Sequence, residues 1–449
     1  LKLNKMYING LFGEFDYLLD FGAVSDNVII LTAPNGYGKS TILKILDKFF
    51  NKKFDSLLDE SFNFFELEFD DVKIKVEKTD DTLRIFYNND DFSIKRSDFL
   101  ENNKRFRYVL KTDLPFMSRF HNNKWIDDRD GEILSTKELI ERYSFMFGEL
   151  SEEIKYDDKL LGLLDKNVFF VETNRLVDSG VLKNNNENSE SSAIKSLSGN
   201  IIQLINEVKE AQYDISMDQS SDFPTRVMSL LSDNVAVDVS EVIEEVINIT
   251  RFDKTYNENE IFGNLKLDSK IIGKLKNEGI YNNKSFLLVL SSYLKDFMHR
   301  VNHCSDLAKR IHLFKNSVNS LLQFKNIDIH PIYGLIVQKK PKNYKLNKTD
   351  EFNRLDKNYS GDFSIDLLSS GEQHLIILLG NLIFNTKFGT LILIDEPEIS
   401  LHAAWQKKLL SLISEIANIN KFNILIATHS FTLINGNWDN TIELAELLK

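Results

Sequence analysis

A lysine followed by two hydroxyl residues, Lys39-Ser40-Thr41, stands directly behind a turn built on Gly36 and Gly38. An ammonium beside a hydroxyl at the mouth of a glycine turn suits anionic oxygens. The spacing is that of a phosphate-binding P-loop: Ala33, four residues of free choice, then Gly38-Lys39-Ser40. The glycines let the backbone turn tightly, so that successive N–H groups face one centre. A helix opening at Lys39 points its positive end at the same place. Asn35, Gly36, Tyr37, Gly38, Lys39, Ser40 and Thr41 are therefore the expected ATP-binding segment, with Lys39 on the β/γ-phosphates and the Ser40 hydroxyl on Mg²⁺. The context fits, with the strand-like "NVIILTA" before the loop and the helical "STILKILDKFF" after it.

Three further stretches would have to cooperate with that loop. In "TLILIDEPEISLH" (390–402) an apolar strand ends in two acids. Asp395 is placed to hold the Mg²⁺ shell, and Glu396 to polarise an attacking water. In "DLLSSGEQHLIILL" (366–379) Ser369, Ser370, Gly371 and Glu372 precede an apolar helix and offer its N-terminus to a phosphate. In "NILIATHS" (423–430) another apolar strand ends in Thr428-His429, where a γ-phosphate-sensing histidine would sit.

These four motifs, in this order, resemble the ABC-type ATPase head of the RecF/SMC/Rad50 and OLD-like group (AAA15/AAA21). The resemblance implies an α/β fold and two heads that pair face to face. Ser369, Ser370, Gly371 and Glu372 would then act in trans on the partner's nucleotide, and Ser400, Leu401 and His402 would form the D-loop at the seam. Asn174, with Arg175 beside it, falls near the place of the family's glutamine-type loop. The run "ATHSFTLINGNWDNTIEL", with "FFVETNRL" and "LLSSGEQHLIILL", also resembles the stand-alone ATPases of bacterial anti-phage operons. The AriA type of PARIS systems fits first, and the PtuA type of Septu and retron-associated systems next. That likeness implies a homo-oligomer of head dimers, up to a hexamer. It also implies a separate nuclease effector, TOPRIM (AriB-like) or HNH (PtuB-like), and a phage protein as trigger. The alternative reading is a RecF-like DNA-binding repair ATPase.

Asp395 comes about 350 positions after Lys39, so a large insertion must lie within the head. The expected division is an N-terminal ATPase lobe over 1–176, a helical insertion over 177–325 and a C-terminal lobe over 326–449. Alternating residues in 64–98 predict β-hairpins beside the P-loop. Residues 134–150 are expected to be helical, and 183–192 to be a polar low-complexity segment. Ile194, Leu197, Ile201, Leu204 and Val208 follow 3-4 spacing, as do Leu290, Leu294, Phe297, Val301, Cys304 and Ile311. These predict a helical arm or subdomain, interrupted at Pro224. Residues 327–348 are expected to form a hairpin whose tip gathers Lys339, Lys340, Lys342, Lys345 and Lys348, a surface for a nucleic-acid backbone.

The net charge of −12 confines any such contact to a local basic patch. A single cysteine excludes an intramolecular disulfide. No apolar run reaches membrane-spanning length, and the first residues lack a signal-peptide core. A cytoplasmic protein without a membrane contact is expected. Some twenty residues follow His429, too few for a nuclease domain there, so any nuclease is expected on another chain.

Overall fold

The computed structural model describes residues 3–22, 27–70, 72–87, 90–96, 104–121, 124–147, 162, 164, 168–172, 189–232, 237–257, 260–268, 273, 283–340 and 368–448. The chain divides into two compact units.

The first unit comprises Leu1–Thr173, Lys387–Ile399 and Ser414–Lys449. It holds a six-stranded antiparallel sheet of β1 (Leu3–Leu11), β2 (Phe15–Asp20), β4 (Phe64–Phe69), β5 (Lys73–Thr79), β6 (Thr82–Tyr87) and β7 (Asp90–Lys95), ordered β2-β1-β4-β5-β6-β7. The alternation of apolar and charged residues in "FFELEF" puts Phe65, Leu67 and Phe69 inward, the period of a sheet with one covered face. β8 (Met117–His121), β9 (Lys124–Asp127) and β10 (Ile133–Ser135) form a small separate sheet. With the helices Lys104–Thr112, Thr136–Arg142 and Ser144–Phe147, it encloses its own core around Phe106, Val109, Leu139 and Phe147.

The functional sheet is parallel throughout. Its order is β11 (Val168–Val171), β14 (Leu391–Asp395), β15 (Asn423–Ala427), β3 (Val28–Thr32), β16 (Thr441–Glu443). β3 is buried at all five positions, as expected of a strand covered on both faces. Its Ile29 and Leu31 join Ile42, Leu46 and Phe49 of the helix Lys39–Phe50 in one core. Every strand in this sheet runs the same way, so the loops after β3, β14 and β15 open at one end.

The second unit comprises Asn174–Thr386 and Ser400–Ile413. The helix Lys284–Leu321 packs along Ser189–Ser232 and Val239–Tyr256. Its Leu290, Leu294, Phe297, Val301, Cys304 and Ile311 are all buried. Burial pushes the Cys304 thiol up to about 12. Pro224 does not interrupt the first of these helices; it lies inside it. A proline costs a helix one donor and a clash, and here side chains take up nearby carbonyls. Ser220 Oγ donates to Ser216 O at 2.7 Å, Ser221 Oγ to Asp218 O at 2.8 Å, and Arg226 to Gln219 O at 3.1 Å. Arg226 also grips Asp296 of the long helix with two bonds of 2.7 Å. Helix formation already begins at Ser189, inside the stretch expected to be a polar low-complexity segment.

The hairpin of β12 (Lys325–His330) and β13 (Gly334–Lys339) turns at residues 331–333. Its tip is therefore Pro331-Ile332-Tyr333, and Lys339 and Lys340 stand at the opposite end. Lys340 Nζ donates to Leu322 O at 2.7 Å and Asn319 O at 3.4 Å, capping the last turn of the long helix. The expected basic tip is thereby corrected; Lys342, Lys345 and Lys348 lie outside the described residues.

Candidate functional site

The loop after β3 leads through Gly36 (φ 90°) and Gly38 (φ 89°), both in the left-handed region, into the helix Lys39–Phe50. A Cβ at Gly38 would strike the Leu11 side chain, so glycine is required by space as well as by backbone angle. Asn35 and Gly36 are exposed, and Thr41 is half-buried on the first turn. Tyr37 stacks on Phe15 at 5.6 Å, and its carbonyl accepts from Tyr17 Oη at 3.0 Å. That contact holds the loop against the antiparallel sheet.

Lys39 is 5% exposed. Its ammonium donates to Ala33 O at 2.8 Å and Pro34 O at 3.4 Å, and stands 3.2 Å from His429 Nδ1. An ammonium can only donate, so Nδ1 is the lone-pair nitrogen and Nε2 carries the hydrogen. Nε2 meets Glu396 Oε1 at 2.7 Å, and the His429 backbone N–H donates to Glu396 Oε2 at 3.4 Å. One string of contacts thus joins the ends of β3, β15 and β14. Beside it, Ser40 Oγ donates to Asp395 Oδ1 at 2.8 Å.

The charges are compressed into little water. Burial lowers the Lys39 pKa, while the carboxylates of Glu396, Asp395, Glu443 and Glu398 oppose it. Burial raises Asp395, against the Ser40 hydroxyl, Lys44 and Lys39. Glu396 is pushed up to about 8, first by burial and then by the adjacent Glu398 carboxyl. Glu396 therefore keeps its proton at neutral pH. Glu396 also sits at φ 47°, a conformation disfavoured for a side-chain-bearing residue.

Glu398 and Thr428 had no role assigned from sequence. Both are buried, and the Thr428 hydroxyl donates to Glu398 Oε1. Thr428 Oγ1 in turn accepts from Ser430 N at 2.9 Å, fixing the chain on either side of His429. The signal was the Asp-Glu-Pro-Glu run, in which a third acid, Glu398, follows Glu396 at a spacing of two.

The second unit gathers the other candidates. Ser369 caps the helix Ser370–Phe384 in a capping box with Glu372. Ser369 N donates to Glu372 Oε2 at 2.7 Å, Ser369 Oγ to the same oxygen at 3.0 Å, and Lys325 Nζ to it at 2.6 Å. Burial works against the Glu372 carboxylate, yet Lys325 and Ser369 hold its pKa below the usual range. Ser369 and Ser370 are exposed. A Cβ at Gly371 would come within 2.6 Å of Ser400 O, so the serine-glycine turn abuts Ser400, itself at φ 66°. Leu401 is buried at 7% exposure, and His402 Nδ1 accepts from Ala404 N at 3.2 Å. Asn174 and Arg175 lie outside the described residues.

The donor set at Ser40 and Asp395 is hydroxyl plus carboxylate, hard oxygen ligands of the kind Mg²⁺ takes together with substrate phosphates and water. Among the described residues no group of three or more His, Cys, Asp or Glu could hold a metal.

Among solved structures, the chain is similar to the Smc head domain with an extended coiled coil bound to the C-terminal domain of ScpA derived from Pyrococcus furiosus. Identity is 12% and the TM-score 0.35, over 98% of this chain and 92% of that one. It is similar too to the SmcHead bound to the C-winged helix domain of ScpA (11%, TM-score 0.35, 99% and 94%) and to the SMC head domain from Thermotoga maritima (12%, TM-score 0.32, 97% and 91%). No curated protein matches it by sequence. The fold is α/β, with a parallel sheet whose strand β3 runs through a P-loop pattern into a helix. A family model described as "AAA domain, putative AbiEii toxin, Type IV TA system" matches residues 29–435, from the strand that feeds the glycine loop to past His429, and the chain belongs to that family.

Proposed function

We propose that this chain binds and hydrolyses ATP, and that it serves as an ATP-gated sensor and scaffold in anti-phage defence. It would pair head to head and hold or activate a separate nuclease. The observation that carries the catalytic part is the string Lys39–His429–Glu396 beside the Ser40–Asp395 pair. The defence part is supported by the resemblance of the "LLSSGEQHLIILL" and "ATHSFTLINGNWDNTIEL" runs to AriA-type and PtuA-type ATPases. The family's description, which names a putative AbiEii toxin and a Type IV TA system, supports it as well.

The phosphates of ATP would take over the Lys39 donors that now serve Ala33 O and Pro34 O. The N–H groups from Asn35 to Thr41 would cradle the remaining oxygens. Ser40 and Asp395 would hold Mg²⁺, which when bound supplies positive charge to the phosphate oxygens. Glu396 would orient the attacking water and accept its proton, which requires first losing the proton that burial makes it keep at neutral pH. His429 would report the γ-phosphate to Glu396 through Nε2. Ser369 and Gly371 would complete the partner's site, so hydrolysis would need two heads.

Replacing Lys39 by alanine removes a charge-assisted donor worth about 1.5–3 kcal/mol, or roughly 10- to 100-fold in affinity. A fluorescent ATP analogue titrated against Lys39→Ala should show that loss, and cells carrying the variant should lose phage protection. A variant that binds as the parent does would refute the nucleotide site. One that loses ATP but still protects would refute only the coupling to defence.

A further inference from the structure

The strand ladder fixes β14 against β15 only as far as Asp395, which pairs with Ala427. Two more backbone bonds follow, Glu396 N to Ala427 O at 2.8 Å and Thr428 N to Leu31 O at 3.1 Å. Past them the loops carry Glu396 and His429 to their meeting at 2.7 Å, where the ladder no longer sets the distance. A side-chain bond crosses between the same two loops: the Thr428 hydroxyl donates to Glu398 Oε1, 30 positions away.

Both partners suit a fixed contact. Thr428 is 0% exposed and Glu398 8%, and groups so buried are held by the bonds they make. Threonine is branched at Cβ and stiff about its first side-chain torsion. Its oxygen is engaged twice, donating to Glu398 and accepting from Ser430 N at 2.9 Å. His429 is the residue between those two anchors. On the other loop, Pro397 separates Glu396 from Glu398 and allows its own φ little freedom. Ile399 N closes that turn on Glu396 O at 3.2 Å. Glu396 is kept at φ 47°, a backbone state that persists where its surroundings over-determine it. The contacts form a closed ring: Glu398 to Thr428 by the hydroxyl, Thr428 to His429 along the chain, His429 to Glu396 through Nε2, and Glu396 back to Glu398 through Pro397.

We infer that Thr428 and Glu398 are positioning residues, whose bond holds the His429 imidazole and the Glu396 carboxyl together for turnover, a role that rests on the site being an ATPase. Nucleotide affinity belongs to Lys39 and the glycine loop, so it should not depend on this bond.

The test is the full chain carrying Thr428→Val, which keeps the branched shape and loses the hydroxyl. Its kcat should fall by about tenfold or more, since a misplacement of about 1 Å can cost roughly 100-fold. The KM for ATP should stay as in the parent, the mark of an interaction used only in the transition state. Thr428→Ser keeps the hydroxyl and should restore turnover. In a Glu398→Ala chain, Thr428→Val should cost nothing further, because both changes remove one bond. A second readout needs no ATP. With ¹⁵N-labelled histidine, the ring signals of His429, identified by their absence from His429→Gln, should move in Thr428→Val and not in Thr428→Ser. A parent without turnover would refute the ATPase reading, and the histidine signals would still decide the bond. In a folded Thr428→Val chain, either the parent's kcat or unmoved His429 signals overturn the inference. So does a loss of turnover that Thr428→Ser shares in full.

Discussion

Glu396 carries two burdens at once: a buried, proton-retaining carboxyl and a left-handed backbone. If it is the base, Glu396→Gln should bind ATP normally while turnover drops by about 10²- to 10⁴-fold. Steady-state phosphate release checks this, and unchanged turnover would remove Glu396 from the mechanism. The same residue gives a pH prediction. Its folded-state pKa, about 8, lies above its unfolded value, so the folded chain holds the proton more tightly. Its contribution to stability is complete below the unfolded pKa and is lost as pH rises through about 8. Without nucleotide or Mg²⁺, Glu396→Gln should melt close to the parent at pH 6 and above it at pH 9. A parent–variant difference that does not change between those pH values would contradict the assignment.

Among the secondary-structure elements, the helix Ser370–Phe384 is the most exacting at its start. Ser369, Glu372 and Lys325 share one carboxylate oxygen, so an N-terminus offered to a phosphate is already locked in place. Glu372→Gln should cost about 0.5–2 kcal/mol, measured by denaturant unfolding at pH 7. The sign here is opposite to that of Glu396. A depressed carboxylate contributes above its unfolded pKa, and the contribution is lost as pH falls through the lower folded value. The gap between parent and variant should therefore close in acid, and a gap that persists there would mean that the charge is irrelevant. Elements with local causes were legible from the chain: apolar strands leading to Lys39, Asp395 and His429, and the serine cap before Glu372. Those decided by distant partners were not. Pro224 reads as a break, but Arg226 on Asp296 and neighbouring hydroxyls hold the helix through it. The lysines after β13 read as a tip, but Lys340 is spent on helix carbonyls that lie about twenty positions earlier. Glu398 was visible as a residue, yet its partnership with Thr428 depends on β14 and β15 lying side by side.

At the scale of the whole molecule, the candidate residues sort into two sets. One holds Lys39, Ser40, Asp395, Glu396 and His429; the other holds Ser369 to Glu372 and Ser400 to His402. A reaction that needs both sets from different copies must depend on concentration. We expect Glu396→Gln, given ATP and Mg²⁺, to sediment as a dimer at concentrations where the chain without ATP is a monomer. Specific activity of the parent should rise with protein concentration. Activity that is independent of concentration, with no ATP-linked change in mass, would place the complete site in one chain.

The sheet that carries the glycine loop is assembled from distant ends of the sequence. β3 has β15 and β16 as its neighbours, and Thr32 bonds to the carbonyl of Ile442, 410 positions later. At about 5–20 residues per second on the ribosome, β3 waits roughly 20–80 s for either edge to be made. The antiparallel sheet, drawn from residues 3–95, can close during that interval; the site cannot. Its five buried residues must meanwhile be sheltered by the sheet already formed or by a chaperone, and a truncated translation product would hold a glycine loop with no acid facing it.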